Sequence, residues 1–381
     1  MSSKVIIGII VVVVVVAGVY FFMGGKIGQQ EGVTPGTSVG VGPIALGFIE
    51  PLTGDAASIG TINRAAVELA VAEVNAAGGV NGRPIEVIYE DGQCNAKAAT
   101  NAASKLINVN KVPVIIGGLC STETAAFGPG AMQAKVIVFS PGSSAPTLSQ
   151  LGKYFFRNYP SDAFQGKFAA EYAYNTLKAR KVAIGYHISD WGTGLKNVFE
   201  RRFKELGGQI VAIEGAPQDA RDYRTMLTKL KAAKADLIYF PAYPDGSIVA
   251  MGQMKELGIK TKVLGADAWD DPKVQKEATG KGDFYFLIPF SPVSDEFKAK
   301  IKAKTGSDQV PIGTANAYDA LKIMAQVIAQ VGTDPDKIQE AMRTLTYDGA
   351  SGKIDFDENG DITIASYIIK HMENGSAVEV K

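Results

Sequence analysis

The sequence predicts an α/β protein with two doubly wound lobes, each built on a parallel β-sheet. From Ile44 onward, short apolar runs alternate with amphipathic stretches of helical spacing, a pattern typical of βαβ units with right-handed crossovers. The alternation restarts after residues 158–162, which indicates a second sheet. A length of 381 residues with 46% hydrophobic content is sufficient for two or three domains with apolar cores.

The first series of elements begins with an apolar run at residues 44–50, which we interpret as a buried strand. Ile62 and Ala66 then share one face of a helix, and the pair Gly78-Gly79 ends that helix. The other elements of this half are a strand at 85–90, a helix at 97–108, and strands at 112–117 and 136–140.

The second series repeats this alternation and then changes character. Its predicted elements are helices at 164–178, 192–206, 223–233 and 247–257, and strands at 181–186, 209–213, 237–240 and 262–265. A strand at 284–289 and helices at 314–331 and 336–345 follow. The tail at 351–380 contains the turn dipeptides Asn359-Gly360 and Asn374-Gly375, so we expect antiparallel hairpins there.

Residues 5–23 form an uncharged apolar run that follows Lys4. As a helix this run would span about 28 Å, close to the apolar thickness of a bilayer. The positive-inside rule then places Met1 in the cytoplasm and the rest of the chain outside. We expect an uncleaved membrane anchor. The alternative is a cleaved secretory signal, against which stand the length of the run and the absence of an A-x-A site after it.

Residues 24–42 contain seven glycines among 19 residues, together with proline, serine and threonine. This composition is typical of a flexible tether. The folded part is therefore expected to begin near Pro43, and the 339 residues that remain (381 minus 42) fit two lobes.

The composition excludes several classes of protein. Lys and Arg number 39, as do Asp and Glu, so no basic face for nonspecific nucleic-acid binding is expected. With two histidines and two cysteines, a multi-ligand Cys/His metal site is nearly excluded. Cys94 and Cys120 lie in the exported part, where a lone pair most often forms one structural disulfide. The alternative is two unpaired, buried thiols.

Common catalytic and nucleotide-binding motifs do not account for this chain. The sequence has no G-x-x-x-x-G-K-[ST] phosphate loop, no G-x-G-x-x-G after the first strand and no G-x-S-x-G nucleophile elbow. The stretch at 355–360 resembles half of an EF-hand loop, but position twelve is Ser366 instead of Glu, so we expect a β-turn. His187 follows a predicted strand and has no companion histidine, so we expect it to be a solvated loop residue; the alternative is a residue at the edge of a pocket.

Small polar and aromatic residues follow the predicted strands at the edge where open α/β sheets bind ligands. Ser121 opens a helix whose amino terminus favours an anion, and Ser144 lies in a hydroxyl-rich loop after the next strand. The alternative for each serine is a helix cap. In the second half, Trp191, Tyr243 and Asp267 follow strands at the equivalent edge. A carboxylate that faces an anion-binding helix terminus across a cleft would suit a zwitterion.

From about Ile44 to its end, the chain resembles the periplasmic leucine/isoleucine/valine-binding proteins, the branched-chain amino-acid receptors of ABC importers. The motifs that carry the resemblance are PLTG at 51–54, NAAGG at 75–79, DGQC at 91–94, GGLCS at 117–121, SPGSSAP at 140–146, WGTG at 191–194 and DFDENG at 355–360. The resemblance implies the type I periplasmic-binding fold, a flytrap of two lobes joined by a three-stranded hinge. The two cysteines fall where this family has its lobe-one disulfide.

The resemblance also implies a ligand site. The α-carboxylate would be held by Ser121 and Ser144, and the α-ammonium by the Gly142 carbonyl, the Ser144 hydroxyl and Asp267, with Tyr243 and Trp191 closing over the ligand. The family's usual residue at the position of Asp267 is Glu, so the charge is kept with a shorter reach. Ile59 and Gly313 stand where the family often has aromatic residues around the ligand's side chain, which weakens an assignment to leucine, isoleucine or valine.

The domain organisation that follows from the resemblance is discontinuous, with crossovers near 158–162, 288–291 and 347–351. We expect a membrane segment at 1–23, a tether at 24–42, a first lobe of 43–159 plus 290–349, and a second lobe of 160–289 plus 350–381. Closure of the lobes would bury the ligand, and a permease would recognise the closed form.

The expected function is that of an extracytoplasmic solute-binding protein of an ABC importer, tethered to the cytoplasmic membrane by residues 5–23. It would bind an amino acid, branched-chain or related, and deliver it to the permease subunits. The alternative is an extracytoplasmic sensor of the same fold that acts through a separate signalling partner. An enzyme is not expected, because the sequence lacks a nucleotide fingerprint and a convergent acid/base set. Neither a cofactor nor a metal nor nucleic acid is expected.

Overall fold

The computed structural model describes residues 42–307 and 309–380. The predicted membrane segment at 1–23, and the predicted tether up to residue 41, lie outside the described residues. Among the described residues, no helix combines the length and the apolar character needed to cross a membrane.

The first sheet is entirely parallel and lies in the N-terminal half of the described chain. Its strands are β1 (Ile44–Glu50), β2 (Ile85–Asp91), β3 (Val114–Gly117), β4 (Ile137–Ser140) and β5 (Phe155–Arg157). The helices between them are α1 (Ala57–Ala76), α2 (Ala96–Ser104) and α3 (Ser121–Gln133). The strands pair in the order β2-β1-β3-β4-β5, so β1 and β3 lie side by side at the centre.

The second sheet contains the strands of the middle of the chain. They are β6 (Lys181–Ile188), β7 (Gln209–Pro217), β8 (Leu237–Tyr239), β9 (Lys262–Gly265) and β10 (Phe284–Pro289). The helices that accompany them are α4 (Asp162–Glu171), α5 (Asp190–Glu205), α6 (Arg224–Ala232), α7 (Pro244–Glu256) and α8 (Pro272–Ala278). These five strands are parallel to one another.

The C-terminal part adds two strands to the second sheet, a helix to the core of the first sheet and a separate two-stranded antiparallel sheet. Its elements are α9 (Asp295–Thr305), α10 (Thr314–Val331), α11 (Pro335–Arg343), β11 (Thr346–Gly349), β12 (Gly352–Asp355), β13 (Tyr367–Glu373) and β14 (Ser376–Glu379). The separate sheet is β11-β12. β13 and β14 extend the second sheet with antiparallel pairing, which gives the order β14-β13-β10-β9-β8-β6-β7. α10 instead packs against the first sheet, where Leu321 and Met324 join Phe48 and Phe139 in one buried cluster. The predicted α/β architecture is confirmed.

Most deviations from the predicted elements have a local cause. The helix predicted at 97–108 is α-helical only to Ser104 and ends in a π-helical turn, Lys105–Val109. β5 was not predicted, because three residues that end in an arginine do not show an apolar run. α8 and α9 were not predicted either. In α9 the apolar pattern is weak, because this helix buries only Phe297 and Ile301 among many lysines. Asn374-Gly375 joins β13 to β14 as expected, whereas the turn at Asn359-Gly360 is flanked by a single bridge.

Candidate functional site

One side of the site is formed where β3 and β4 end, at the carboxyl edge of the first sheet. α3 begins at Ser121, so its amino terminus lies beside the loop that follows β4. The Ser121 hydroxyl oxygen accepts hydrogen bonds from Ser144 N at 3.1 Å and from Ala145 N at 3.0 Å. A hydroxyl has two acceptor positions and one donor. Both acceptor positions of Ser121 are therefore used, and its O–H remains able to donate.

Buried polar contacts fix the loop that follows β4. Ser140 Oγ donates to Gly118 O at 2.8 Å and accepts from Ser143 N at 2.8 Å. Arg157, which is fully buried, donates from Nη1 to the carbonyl oxygens of Ser143 and Ala145 at 3.2 and 3.0 Å. Because these groups have few alternative partners once buried, the loop conformation is well determined.

Gly142 lies at a point of close approach in the same loop. A Cβ atom at this position would come within 2.5 Å of Leu119 Cδ1 and 3.3 Å of the Leu119 backbone. A larger residue would therefore force Leu119 to move, and Leu119 itself lines the site.

The opposite side of the site carries two stacked aromatic residues at the carboxyl edge of the second sheet. Trp191 lies in the first turn of α5, and Tyr243 stands between β8 and α7. Their ring centroids are 4.7 Å apart with an interplanar angle of 30°, an offset-stacked arrangement that favours aromatic contact. Both side chains are buried.

His187 supports Tyr243, and the prediction that it is a solvated loop residue is wrong. It belongs to β6 and is fully buried. The Tyr243 N–H donates to His187 Nδ1 at 3.1 Å, so Nε2 carries the ring proton and faces the Tyr223 hydroxyl at 2.8 Å. Burial lowers the pKa of His187 to about 3, so the ring is neutral. The predicted strand ended at residue 186, whereas β6 continues for two more residues and therefore includes His187.

Asp267 follows β9 and is buried. Its Oδ2 accepts a hydrogen bond from the Tyr159 hydroxyl at 2.6 Å, and its Oδ1 accepts one from Ala268 N at 3.0 Å. Burial raises the pKa of Asp267 to about 6, and these hydrogen bonds oppose the increase.

Asp162 is a second buried carboxylate and was not among the residues predicted from the sequence. It lies in the first turn of α4, its Oδ2 accepts from Ser144 Oγ at 2.9 Å, and its Oδ1 has no partner among the described residues. Burial raises its pKa well above the usual range, and the charge of Asp267 raises that pKa further. An Asp in the first turn of a helix is ordinarily read as a favourable end charge, which is why sequence reasoning missed it.

Six of the seven residues predicted to bind the ligand line one cavity of about 20 Å³. They are Ile59, Gly142, Ser144, Trp191, Tyr243 and Asp267. The cavity is completed by Ala56, Leu119, Ala268 and Ile312. Ser121, the seventh predicted residue, lies one hydrogen bond away, behind Ser144. The structure thus brings the predicted residues together, while their ligand roles stay predictions.

Polar contacts join the two sides around this cavity. Arg221 Nη2 lies 3.0 Å from Asp55 Oδ1, and Gln218 Nε2 donates to the Cys94 carbonyl oxygen at 3.0 Å. The Ser58 hydroxyl also donates to the Asp271 carboxylate. A cavity of this size holds about one water molecule. The small volume and these contacts show that the two sides are closed on each other in this structure.

A disulfide between Cys94 and Cys120, as predicted, stands directly before the helix that carries Ser121. The two Cα atoms are 5.3 Å apart. The buried Glu123 carboxylate accepts hydrogen bonds from the backbone N–H groups of both cysteines, each at 3.0 Å. Burial raises the pKa of Glu123 to about 8. The covalent bond and this carboxylate together tie the loop after β2 to the amino terminus of α3.

Comparison with known proteins gives consistent matches over the described part of the chain. The model of a family described as periplasmic binding protein matches residues 43–376. The leucine-, isoleucine-, valine-, threonine- and alanine-binding protein of Pseudomonas aeruginosa is 27% identical over 331 residues, which cover 85% of this chain and 88% of that protein.

Solved structures show the same likeness in three dimensions. A leucine-binding protein from Thermotoga maritima superimposes with a TM-score of 0.82 and 28% identity, covering 89% of this chain and 98% of that one. A branched-chain amino acid transporter substrate-binding protein from Streptococcus pneumoniae, solved with isoleucine, gives a TM-score of 0.78 and 28% identity. It covers 89% of this chain and 100% of that one.

Proposed function

Because this chain belongs to the periplasmic binding protein family, whose model matches residues 43–376, we propose that it is an extracytoplasmic solute-binding protein of an ABC importer and that its ligand is an amino acid. One observation carries the proposal. The Ser144 hydroxyl and the buried Asp267 carboxylate line a single cavity, and Ser121 at the amino terminus of α3 and the buried Asp162 each lie one hydrogen bond behind Ser144. Such a pair of environments complements a zwitterion, because each charged group of the ligand finds its counterpart.

The hydrogen bonds of the site suggest a role for each side chain. The Ser121 hydroxyl, whose acceptor positions are occupied, donates to the α-carboxylate. The Ser144 hydroxyl donates to Asp162, so its oxygen accepts from the α-ammonium, together with the Gly142 carbonyl and Asp267. The stacked rings of Trp191 and Tyr243 cover the ligand from the second side.

We further propose that the two sides belong to two lobes that close on the ligand. The first lobe is residues 43–159 plus 290–356, because Ile354 and Phe356 pack in its core, and the second lobe is residues 160–289 plus 357–381. Permease subunits would recognise the closed form. Residues 5–23 would hold the protein at the cytoplasmic membrane.

Isothermal titration calorimetry of the full chain against the twenty amino acids tests this function. We expect at least one amino acid to bind with micromolar or tighter affinity, with one site per chain. Heat signals that remain at the level of dilution for all twenty would refute the proposed ligand class.

The ligand affinity should fall in acid. The ammonium group of the ligand pairs with an ionised carboxylate. Burial has raised the pKa of Asp267 to about 6, so below pH 6 the Asp267 carboxyl group must lose its proton before the ligand binds. The affinity at pH 5 should then be about tenfold lower than at pH 8, since one proton competes with the ligand.

Calorimetry in two buffers of different ionisation enthalpy at pH 6 measures the coupled proton directly. Proton release on binding is the expected sign, because the bound ammonium favours the ionised carboxylates. Equal affinities from pH 5 to pH 8, with no proton released, would show that these carboxylates do not face the ammonium.

The ion pair between Arg221 and Asp55 should favour the closed form. Removing it with Asp55→Ala is expected to weaken ligand binding by a factor of about 1.4 to 5, since a partly exposed ion pair contributes about 0.2–1 kcal/mol. The matched control is Asp222→Ala, which removes a carboxylate paired with Arg224 in the same segment, at 3.2 Å. Calorimetry and small-angle scattering of the ligand-free variants would report affinity and closure. Equal behaviour of the two variants would argue against this role of Asp55.

A further inference from the structure

Residues 158–161, the first connection, lead from the first sheet to the second series of elements. They follow β5 and end at Ser161, whose side chain caps α4. Asn158 and Tyr159 in this segment are buried. The chain therefore leaves the first sheet through a short segment whose side chains have fixed surroundings.

A reciprocal pair of amides anchors the first connection to α10. Asn158 Nδ2 donates to the Asn316 carbonyl oxygen at 2.8 Å, and Asn316 Nδ2 donates to the Asn158 carbonyl oxygen at 2.6 Å. α10 is itself fixed, because the Thr314 hydroxyl donates to Asn63 Oδ1 at 2.8 Å and Leu321 packs in the core of the first sheet. Two short hydrogen bonds thus set the position of Asn158 relative to the first sheet.

Tyr159, the next residue, reaches the carboxylate that is proposed to bind the ammonium. Its hydroxyl donates to Asp267 Oδ2 at 2.6 Å. Burial and the charge of Asp267 raise the pKa of Tyr159 well above its usual value, so the hydroxyl keeps its proton. Asp267 Oδ1 accepts from Ala268 N, so the two hydrogen bonds together fix the orientation of the carboxylate.

Other titratable groups surround Asp267. Burial and nearby carboxylates raise the pKa of each of them, so the tyrosines among them stay protonated near neutral pH. They are Asp162, Tyr239, Tyr243 and Tyr367. The Gln165 side chain assists Tyr159 in lowering the pKa of Asp267. Among the described residues, the tyrosine hydroxyl that donates to Asp267 is that of Tyr159.

We propose that Tyr159 and Asn316 are positioning residues for ligand binding, in which Asn316 holds the first connection against α10 and Tyr159 thereby orients the Asp267 carboxylate toward the ammonium of the ligand. The proposal rests on the proposed function and adds two residues that do not line the ligand cavity. Tyr159 lies at the boundary of the two proposed lobes, and Asp267 lies in the second. Their hydrogen bond therefore links the position of the lobes to the charge at the site.

The pH profile of ligand affinity tests the role of Tyr159. A donor to a carboxylate stabilises its ionised form, and the Tyr159 hydroxyl opposes the burial that raises the pKa of Asp267 to about 6. Tyr159→Phe removes this donor, so the pKa of Asp267 should rise and affinity should be lost at a higher pH. Calorimetry of the full chain from pH 5 to pH 9, with the tightest-binding amino acid, should show the midpoint of this loss about one pH unit higher.

Tyr154→Phe is the matched control. The Tyr154 hydroxyl donates to Asp336 Oδ1 at 2.7 Å, outside the ligand cavity, so this variant should keep the wild-type profile. If amino acids bind but Tyr159→Phe has the wild-type midpoint, Tyr159 does not act on Asp267, and this proposal fails while the proposed function stands. If no amino acid binds, the proposed function itself fails, and this proposal fails with it.

Asn316→Ala tests whether the amide pair acts through Tyr159. The midpoint should move in the same direction, and Asn316→Ser, a second variant without the amide donor, should give the same shift. The double variant Tyr159→Phe/Asn316→Ala should have the midpoint of Tyr159→Phe alone, because both substitutions affect one contact. Additive shifts in the double variant would show that Asn316 acts by another route and would overturn its assignment.

The control for Asn316 is Asn75→Ala. Asn75 makes a reciprocal amide contact with the Ile85 backbone, at 2.9 and 2.8 Å, at the end of α1 and away from the first connection. This variant should keep the wild-type midpoint, and circular dichroism shows that each variant is folded. A midpoint shift in Asn75→Ala equal to that in Asn316→Ala would count against a specific role of Asn316.

Discussion

Replacing Asp267 with alanine is expected to lower the affinity for the amino-acid ligand at least a hundredfold. The ammonium of the ligand would enter a buried site without the carboxylate that compensates for its lost hydration, and an unpaired buried charge of this kind costs about 3–5 kcal/mol. Asp162 remains in the variant, but its burial and its hydrogen bond from Ser144 leave it unable to replace the direct contact. Calorimetric titration with the tightest-binding amino acid measures the loss.

Two further variants make this result specific. Asp267→Asn keeps the shape of the side chain and should lose nearly as much affinity, because the charge is the important property. Asp283→Ala removes a partly exposed carboxylate that pairs with His371 at 2.9 Å outside the cavity, and it should bind like the wild type. Circular dichroism shows whether each variant is folded. A folded Asp267→Ala variant with an affinity within threefold of the wild type would contradict the assigned role.

Removal of the disulfide should have the largest effect on stability. The bond between Cys94 and Cys120 closes a loop of 26 residues in sequence separation. The chain-entropy model assigns about 3.5 kcal/mol to a loop of that length. We expect the double variant Cys94→Ala/Cys120→Ala to lose free energy of unfolding of about that size in urea denaturation followed by circular dichroism.

The same double variant should also bind its ligand more weakly, because the disulfide orders the segment before Ser121. Reduction of the wild type with dithiothreitol serves as a second route to the same change, and reductant should leave the double variant unaffected. Equal denaturation midpoints for the oxidised wild type and the double variant would show that the bond does not stabilise the fold.

Much of the fold could be predicted because its signals are local. Apolar runs bounded by helices of 3.6-residue period reveal the strands of both sheets, and the rule that parallel sheets bind ligands at their carboxyl edge points to Ser121, Tyr243 and Asp267. The resemblance added Ile59 and Gly142, whose surroundings depend on close packing that periodicity does not report.

The features that sequence reasoning missed depend on contacts between distant parts of the chain. Asp162 has the pattern of an ordinary helix-end charge, and only its placement beside Ser144 and Asp267 distinguishes it. His187 is buried because Tyr223 and the Tyr243 backbone satisfy both ring nitrogens. Arg157 and Asp361 form a buried ion pair, with Nε and Oδ1 2.7 Å apart across 204 residues of sequence, which no local pattern could predict.

We propose that the site recognises both charged groups of an amino acid at once. The most direct test compares, by calorimetry with the full chain at pH 7.5, the tightest-binding amino acid with two analogues of the same side chain. One analogue lacks the α-ammonium and the other lacks the α-carboxylate. We predict that each analogue binds at least a hundredfold more weakly than the amino acid, because each leaves one half of the buried site without its counter-charge. If the analogue without the ammonium binds as tightly as the amino acid, the site does not recognise the ammonium group.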